Sequence, residues 1–222
     1  AYSQNMDLLA ELLEKLQATE GMNEFQVAKE LESLFLDDTS VFDDTKKKQE
    51  VLSAYCKTVY PCVSGEKVSI SVEKAAKCLR TMAEWIREHI RNTEWIADEN
   101  CGWFNSYYDN SGRAVEGVNE NGTRMMLTGQ VFTVMSGTAK DDQVSDIVKA
   151  ADRYLYKEDA GGYRLNSDFN ELKTDLGRMF GFAYGHKENG AVFSHMTTMF
   201  GNALYKRGFA KEGFKAINSL YK

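Results

Sequence analysis

The sequence has no long apolar run, few cysteines and no excess of basic charge. No segment approaches the roughly 18 apolar residues needed to cross a bilayer. The first residues, AYSQNMDLL, carry neither a basic start nor an apolar stretch, so no signal peptide is expected. The four cysteines, Cys56, Cys62, Cys78 and Cys101, fit no zinc-ligand spacing and are too few for a disulfide scaffold at this length. They read as reduced thiols of a cytoplasmic protein. Lysine and arginine total 27 against 33 aspartates and glutamates, a net charge of -6, which argues against nucleic acid or an anionic membrane as partner. Lys46, Lys47 and Lys48 follow Asp43 and Asp44 and read as the solvated start of a helix, not as a basic patch. A GxSxG elbow, a Walker loop, a dinucleotide fingerprint and a paired-histidine metal motif are all missing, and no metal or organic cofactor is expected.

What is present is ordinary soluble-protein composition, 43% apolar and 27% charged over 222 residues, enough to bury a core in one sizeable domain or two small ones. Helical spacing dominates. Met6, Leu8, Leu9, Leu12, Leu13 and Leu16 predict a first helix before Gly21. Phe25, Val27, Leu31, Leu34 and Phe35 predict a second after Asn23, and Asp43-Asp44 opens a third that the only proline, Pro61, ends or interrupts. A long helix follows residues 68–74, with Ala75, Leu79, Met82, Trp85, Ile86 and Ile90 as its buried stripe. The glycine- and asparagine-rich stretch 98–122 reads as a loop or short hairpin. Helical spacing returns at 125–137 and 144–155, lapses over 157–190, and resumes at 192–206 and 211–221. Helical hairpins of this kind must cover each other's apolar faces, as an open solenoid or a closed α/α toroid, and the lack of a fixed repeat favours the toroid.

Two loops concentrate the chemistry. Between residues 183 and 196 stand His186, Lys187, Glu188, Asn189, Ser194 and His195, just before and within the start of a helix. A helix N-terminus offers free N–H groups and partial positive charge, which with Lys187 and His195 suits an anion such as phosphate. Glu188 and Asn189 supply the acceptors and donors that sugar hydroxyls need. The plainer alternative has Glu188 or Asn189 capping the helix, His195 satisfied in the core and Lys187 facing water. The second loop, 101–112, holds Trp103, Phe104, Asn105, Tyr107, Tyr108 and Asp109. Its rings and carboxylate suit a pyranose; alternatively Trp103 and Phe104 are a core plug and Asp109 to Gly112 a turn.

The segments GWFNSYYDNSG, RMMLTGQVFTVMSGTA, GGYRLNSDF, LGRMFGFAYGHKENGAVFSHM and NALYKRGF together resemble glycoside hydrolase family 94, a family of inverting phosphorylases. The likeness covers most of the chain, most specifically residues 102–209. KEN-x-x-x-F-x-H is shared widely in that family, while GFAYGHKENGAVFSHM resembles its 1,2-β-oligoglucan phosphorylase group. The resemblance implies an all-α fold, with helical hairpins forming part of an (α/α)6 toroid and long glycine- and aromatic-rich loops at one end. It implies a sugar-binding role for Lys187, a place in the binding wall for Glu188 and Asn189, and phosphate contact by His195. The implied activity is reversible phosphorolysis of β-1,2-glucooligosaccharides to α-glucose 1-phosphate, with β-glucan oligosaccharide and inorganic phosphate as partners.

The family's general acid is an aspartate in an Asp-Trp-Asn-Asp-like segment, which these residues do not contain, so no catalytic residue is assigned. Residues 1–222 are accordingly expected to be a part of a catalytic domain that continues beyond both ends, inactive by itself. Competing expectations are a non-catalytic carbohydrate-binding module, a piece of a cellobiose-type phosphorylase, and a helical interaction scaffold.

Overall fold

In the computed structural model, which describes residues 1–36 and 38–221, helix is the main structure, as the periodicity predicts. Seven α-helices are found among the described residues. Four two-stranded antiparallel sheets accompany them, so the all-α expectation is corrected to a mostly helical fold. The chain divides into two compact units, Tyr2–Arg87 and the residues from Glu88 onward, the latter joined by Ala1.

In the first unit, α1 (Tyr2–Glu20) forms where expected. Of its leucines only Leu13 is buried, while Leu8, Leu9 and Leu12 stay exposed. The helix expected after Asn23 is absent. Instead β1 (Glu24–Ala28) pairs with β2 (Lys67–Ser71), Phe25 opposite Ile70 and Val27 opposite Val68, and a 3₁₀ helix follows at Lys29–Leu34. Phe25 and Val27 stand two apart, which puts both on one face of a strand, and there they pack with Leu13, Ile70, Val72 and Ala75. The spacing from Val27 to Leu31 and Leu34 mimics a helix and hides that alternation. Asp44 caps α2 (Thr45–Val59) as anticipated, accepting from the Lys46 and Lys47 N–H groups. The helix stops before Tyr60-Pro61, where the ring of a proline disfavours helical backbone at the residue preceding it. Then α3 (Val72–Thr93) carries the chain into the second unit.

The second unit opens with two hairpins, β3 (Trp95–Asp98) with β4 (Cys101–Phe104) and β5 (Gly117–Asn119) with β6 (Gly122–Arg124). Next come α4 (Leu127–Met135), α5 (Asp141–Tyr154), the short pair β7 (Tyr156–Lys157) and β8 (Gly162–Tyr163), α6 (Ser194–Lys206) and α7 (Ala210–Ser219). Trp103, Phe104, Met125, Leu127, Val131, Ile147, Leu155, Tyr163, Phe200 and Leu204 make the core. Gln130 is buried within it and stitches α4 to β4: its amide donates to the Phe104 carbonyl at 2.8 Å and accepts from the Phe104 N–H at 2.9 Å. Between α6 and α7 the contact is glycine on helix. A Cβ at Gly201 would lie 2.7 Å from Ile217, and one at Gly213 would lie 3.0 Å from the Gly201 carbonyl. Within the irregular stretch 157–190, Phe169, Leu176 and Phe180 form a smaller apolar cluster with Val115.

Candidate functional site

Residues 183–196 build a tight turn that feeds a helix. The His186 N–H bonds the Ala183 carbonyl at 3.1 Å, the Asn189 N–H bonds the His186 carbonyl at 3.0 Å, and the Gly185 N–H bonds the Asn189 carbonyl at 2.7 Å. Lys187 and Glu188 form the tip of this loop. Lys187 adopts φ +49°, a left-handed conformation rare for a residue with a side chain, and is exposed. Its ammonium lies 4.8 Å from the centre of the Phe182 ring, and the Arg178 guanidinium lies 5.4 Å from the same centre. Glu188 has one carboxylate oxygen 3.7 Å from Arg178; the other is shielded from solvent and has no hydrogen-bond partner. A shielded carboxylate oxygen without a donor among the described residues is unusual in a folded protein.

Asn189 is placed differently from its neighbours. It is buried, its Nδ2 donating to the Phe182 carbonyl at 2.8 Å and its Oδ1 accepting from Asn166 Nδ2 at 3.0 Å. Both ends of its amide are engaged inside the protein, so it forms the wall from behind. Asn166 itself carries no exposed surface, and its Oδ1 accepts from the Gly190 N–H at 2.7 Å. The same stretch holds the exit of the turn, with the Leu165 N–H on the Ala191 carbonyl at 3.0 Å and Arg164 Nη1 on the Gly190 carbonyl at 2.7 Å. The Tyr184 hydroxyl donates to the Asn166 carbonyl at 3.2 Å; burial raises its pKa and keeps that proton in place. Gly190, at φ +77°, has to be glycine because a Cβ there would sit 2.3 Å from the Tyr184 ring.

His195 stands in the first turn of α6 and is exposed, its ring 5.5 Å from that of Phe193. The core-histidine alternative is therefore excluded. So is the capping alternative, because the residue before α6 is Phe193 and no side chain caps the helix. The first N–H groups of α6 thus have no capping side chain and lie beside an imidazole, an arrangement suited to an anion.

The aromatic loop is built the other way round. Trp103 and Phe104 are fully buried, packed edge-on against Tyr154 and Trp95, which settles them as core. Asp109 closes a turn, accepting from the N–H groups of Ser111 and Arg113 and from the Arg113 side chain. Those backbone donors and the guanidinium hold its carboxyl below the usual carboxylate range. Glu116 is buried and accepts from Ser106 Oγ at 2.5 Å, the Ser106 N–H at 2.8 Å and the Met126 N–H at 2.8 Å. Loss of hydration pushes its pKa up to about 7 despite those donors. Only Tyr107 and Tyr108 reach solvent as rings, and Tyr108 donates to both oxygens of Glu94.

Sequence reasoning had not singled out Asn166, Arg178, Tyr184 or Glu116. Asn166 lies in GGYRLNSDF, a segment already conspicuous, but no local rule marks an asparagine whose partners are more than twenty residues away.

Residues 66–222 match the family model of the glycosyl hydrolase 94 superfamily, catalytic domain. Among curated proteins the chain is similar to a solabiose phosphorylase from Paenibacillus borealis, 28% identical over 123 residues, 55% of this chain and 15% of the relative. It is 27% identical over 126 residues to a cellobionic acid phosphorylase from Neurospora crassa, 54% of this chain and 14% of the relative. An N,N'-diacetylchitobiose phosphorylase from Vibrio proteolyticus is 29% identical over 115 residues, 51% of this chain and 14% of the relative. The matched stretch thus spans only a small part of each relative's own length.

Proposed function

The chain belongs to the glycosyl hydrolase 94 superfamily, and from that membership we propose that the protein carrying it catalyses reversible phosphorolysis of β-1,2-glucooligosaccharides to α-glucose 1-phosphate. Residues 1–222 are read as part of its catalytic domain, part of an (α/α)6 toroid with long glycine- and aromatic-rich loops at one end, of which the segment 183–196 supplies the sugar- and phosphate-binding wall. The observation that supports this most is a single segment. It carries an exposed lysine and a carboxylate with an unpartnered oxygen at a turn tip, then an exposed histidine on an uncapped helix start.

In this reading Lys187 donates to sugar hydroxyls and Glu188 accepts from them. Asn189 serves the wall through the turn it braces. His195 and the first N–H groups of α6 hold inorganic phosphate, the co-substrate, against its own charge. Phosphate attacks the anomeric carbon from the face opposite the leaving oxygen. The glycosidic C–O bond breaks, and a carboxylic acid gives its proton to that oxygen. Because phosphate takes the place of an activated water, no second carboxylate is needed as base, and the configuration inverts. The proton donor is assigned to none of these residues. By resemblance it is an aspartate of an Asp-Trp-Asn-Asp-like segment, and the chain alone is expected to be inactive. Among the described residues the four cysteines form no disulfide, in keeping with a cytoplasmic protein, and no helix is long and apolar enough to cross a membrane.

The β-1,2 linkage rests on the likeness of GFAYGHKENGAVFSHM to the oligoglucan group. The test is to incubate the intact protein with β-1,2-glucooligosaccharides, with and without inorganic phosphate. Release of α-glucose 1-phosphate only when phosphate is present is expected. No phosphate-dependent product from any β-glucoside overturns the proposal. Release from cellobiose alone moves the substrate to a β-1,4 disaccharide.

A further inference from the structure

We propose that Asn166 is a positioning residue, holding the strained turn at Lys187 so that the lysine and Glu188 meet the saccharide in one geometry. The proposal rests on the functional reading above for what the turn binds, but not for how the turn is held.

Three observations carry it. The first is the strain itself. Lys187 sits at φ +49°, and unlike asparagine or aspartate, lysine has no short side chain to stabilise that conformation by a local hydrogen bond. A residue of this kind stays left-handed only where its surroundings over-determine it, and such places cluster at ligand sites. The second is the clamp. The buried amides of Asn166 and Asn189 bond each other at 3.0 Å. From that pair, Asn189 Nδ2 reaches back to the Phe182 carbonyl at 2.8 Å and Asn166 Oδ1 reaches forward to the Gly190 N–H at 2.7 Å. Entry and exit of the turn are therefore tied to a single point. The third is the footing of that point. The Leu127 N–H bonds the Leu165 carbonyl at 2.8 Å and the Ser167 N–H bonds the Met125 carbonyl at 3.0 Å, so Asn166 stands on the buried start of α4.

Two amides taken out of water bring little net stability when they only satisfy each other. What such a buried network does supply is a unique geometry. A turn whose base is fixed in this way, with its tip against Arg178 and Phe182, presents Lys187 and Glu188 without a search. Misplacing such groups by about 1 Å costs on the order of 100-fold in rate.

The test uses the intact protein. Asn166→Asp keeps the size of the side chain and an oxygen for the Gly190 N–H, but removes the donor to Asn189. It is expected to raise the saccharide KM about tenfold while leaving the phosphate KM within about twofold. Asn166→Ala, which removes the bonds to Asn189, to the Gly190 N–H and to the Ser167 carbonyl, is expected to lower kcat/KM for saccharide about 100-fold. In a Lys187→Ala, Glu188→Ala background the Asn166→Asp change should add less than about twofold, because both groups it positions are gone. An equal loss in both backgrounds, or a parallel rise in the phosphate KM, overturns the proposal in favour of a general structural role. Hydrogen exchange supplies a readout without turnover. In Asn166→Asp the amides of Asn189 and Gly190 should lose protection while those of α4 keep theirs; unchanged protection at 189–190 also overturns it. If the wild-type protein shows no phosphorolysis, the functional reading falls, and exchange still judges the clamp. If Asn166→Ala does not fold, Asn166→Asp carries the test.

Discussion

The stretch 103–116 and the segment 183–196 are made of the same materials: aromatic rings, glycine, asparagine, a glutamate or two, and a break in helical spacing. In the first, the polar groups turn inward. Glu116 takes three donors, Asp109 closes its own turn, Glu94 binds Tyr108 and Asn105, and Trp103 and Phe104 fill the core. In the second, Asn189 and the Tyr184 hydroxyl turn inward, while the turn tip and the helix start stay out. Lys187 and His195 are exposed, Glu188 keeps an oxygen without a partner, and α6 starts without a capping side chain. Composition makes the two look like equal candidates for a sugar site. What separates them is where the remaining donors lie: Lys187 and His195 face solvent, while the Trp103 Nε1, without a partner among the described residues, is shut inside the core.

That contrast breaks if the inward loop affects chemistry or the outward segment affects stability. The largest effect is expected at Trp103. Trp103→Ala should lower the unfolding free energy of the intact protein by about 3–5 kcal/mol through the cavity it leaves. Below the lowered melting temperature, the phosphate and saccharide KM should stay those of the wild type. A variant that melts normally but loses substrate affinity would put the loop in the site after all.

Glu116 comes next. The unfolded chain gives up this proton near the ordinary 4.5, whereas the folded protein keeps it to about 7. Between those values the folded state binds more protons, so the stability tied to this group is complete below pH 4.5 and falls as pH rises to about 7. The loss is about 3 kcal/mol at most. Glu116→Gln should flatten that slope. Melting temperatures of both proteins measured from pH 5 to pH 8 check it, and parallel curves would refute the assignment.

On the outward side, His195→Ala removes an exposed charge-capable donor. The phosphate KM is expected to rise about 10- to 100-fold, with stability changed by no more than about 0.5 kcal/mol. Unchanged phosphate kinetics would remove His195 from the proposed site. The smallest effect belongs to Tyr107, exposed on the inward loop with no side-chain bond among the described residues. Tyr107→Ala should leave stability within about 0.5 kcal/mol and saccharide affinity unchanged. A tenfold weaker saccharide KM in titration would show that the aromatic loop does touch sugar, and the contrast would have to be redrawn.

Much of the fold was legible in advance for reasons that act over a few residues. Asp44 announces α2 because a carboxylate meets the N–H groups two and three residues on. Gly208, at φ +82°, separates α6 from α7 as expected. The strand at Glu24–Ala28 was missed because its partner lies more than forty positions along the chain, at Lys67–Ser71. Without that partner, Phe25, Val27, Leu31 and Leu34 fit a helix just as well. Periodicity likewise marks α1 but does not say what covers its leucines: Leu13 is buried, while Leu8, Leu9 and Leu12 stay exposed.

The candidate site divides in the same way. Sequence alone determined that His, Lys, Glu and Asn crowd together at 183–196, that a helix begins at the end of that segment, and that Lys187, Glu188 and His195 belong to one short stretch. These follow from residue type and order, which local rules read directly. Only the tertiary structure decided which polar groups remain free. It turned Asn189 inward to Asn166, 23 residues away in sequence, and closed Glu116 over Ser106 and Met126 while Lys187 and His195 stayed exposed. Hydrogen-bond satisfaction depends on groups that the fold brings together from distant positions, and no window on the sequence contains both partners.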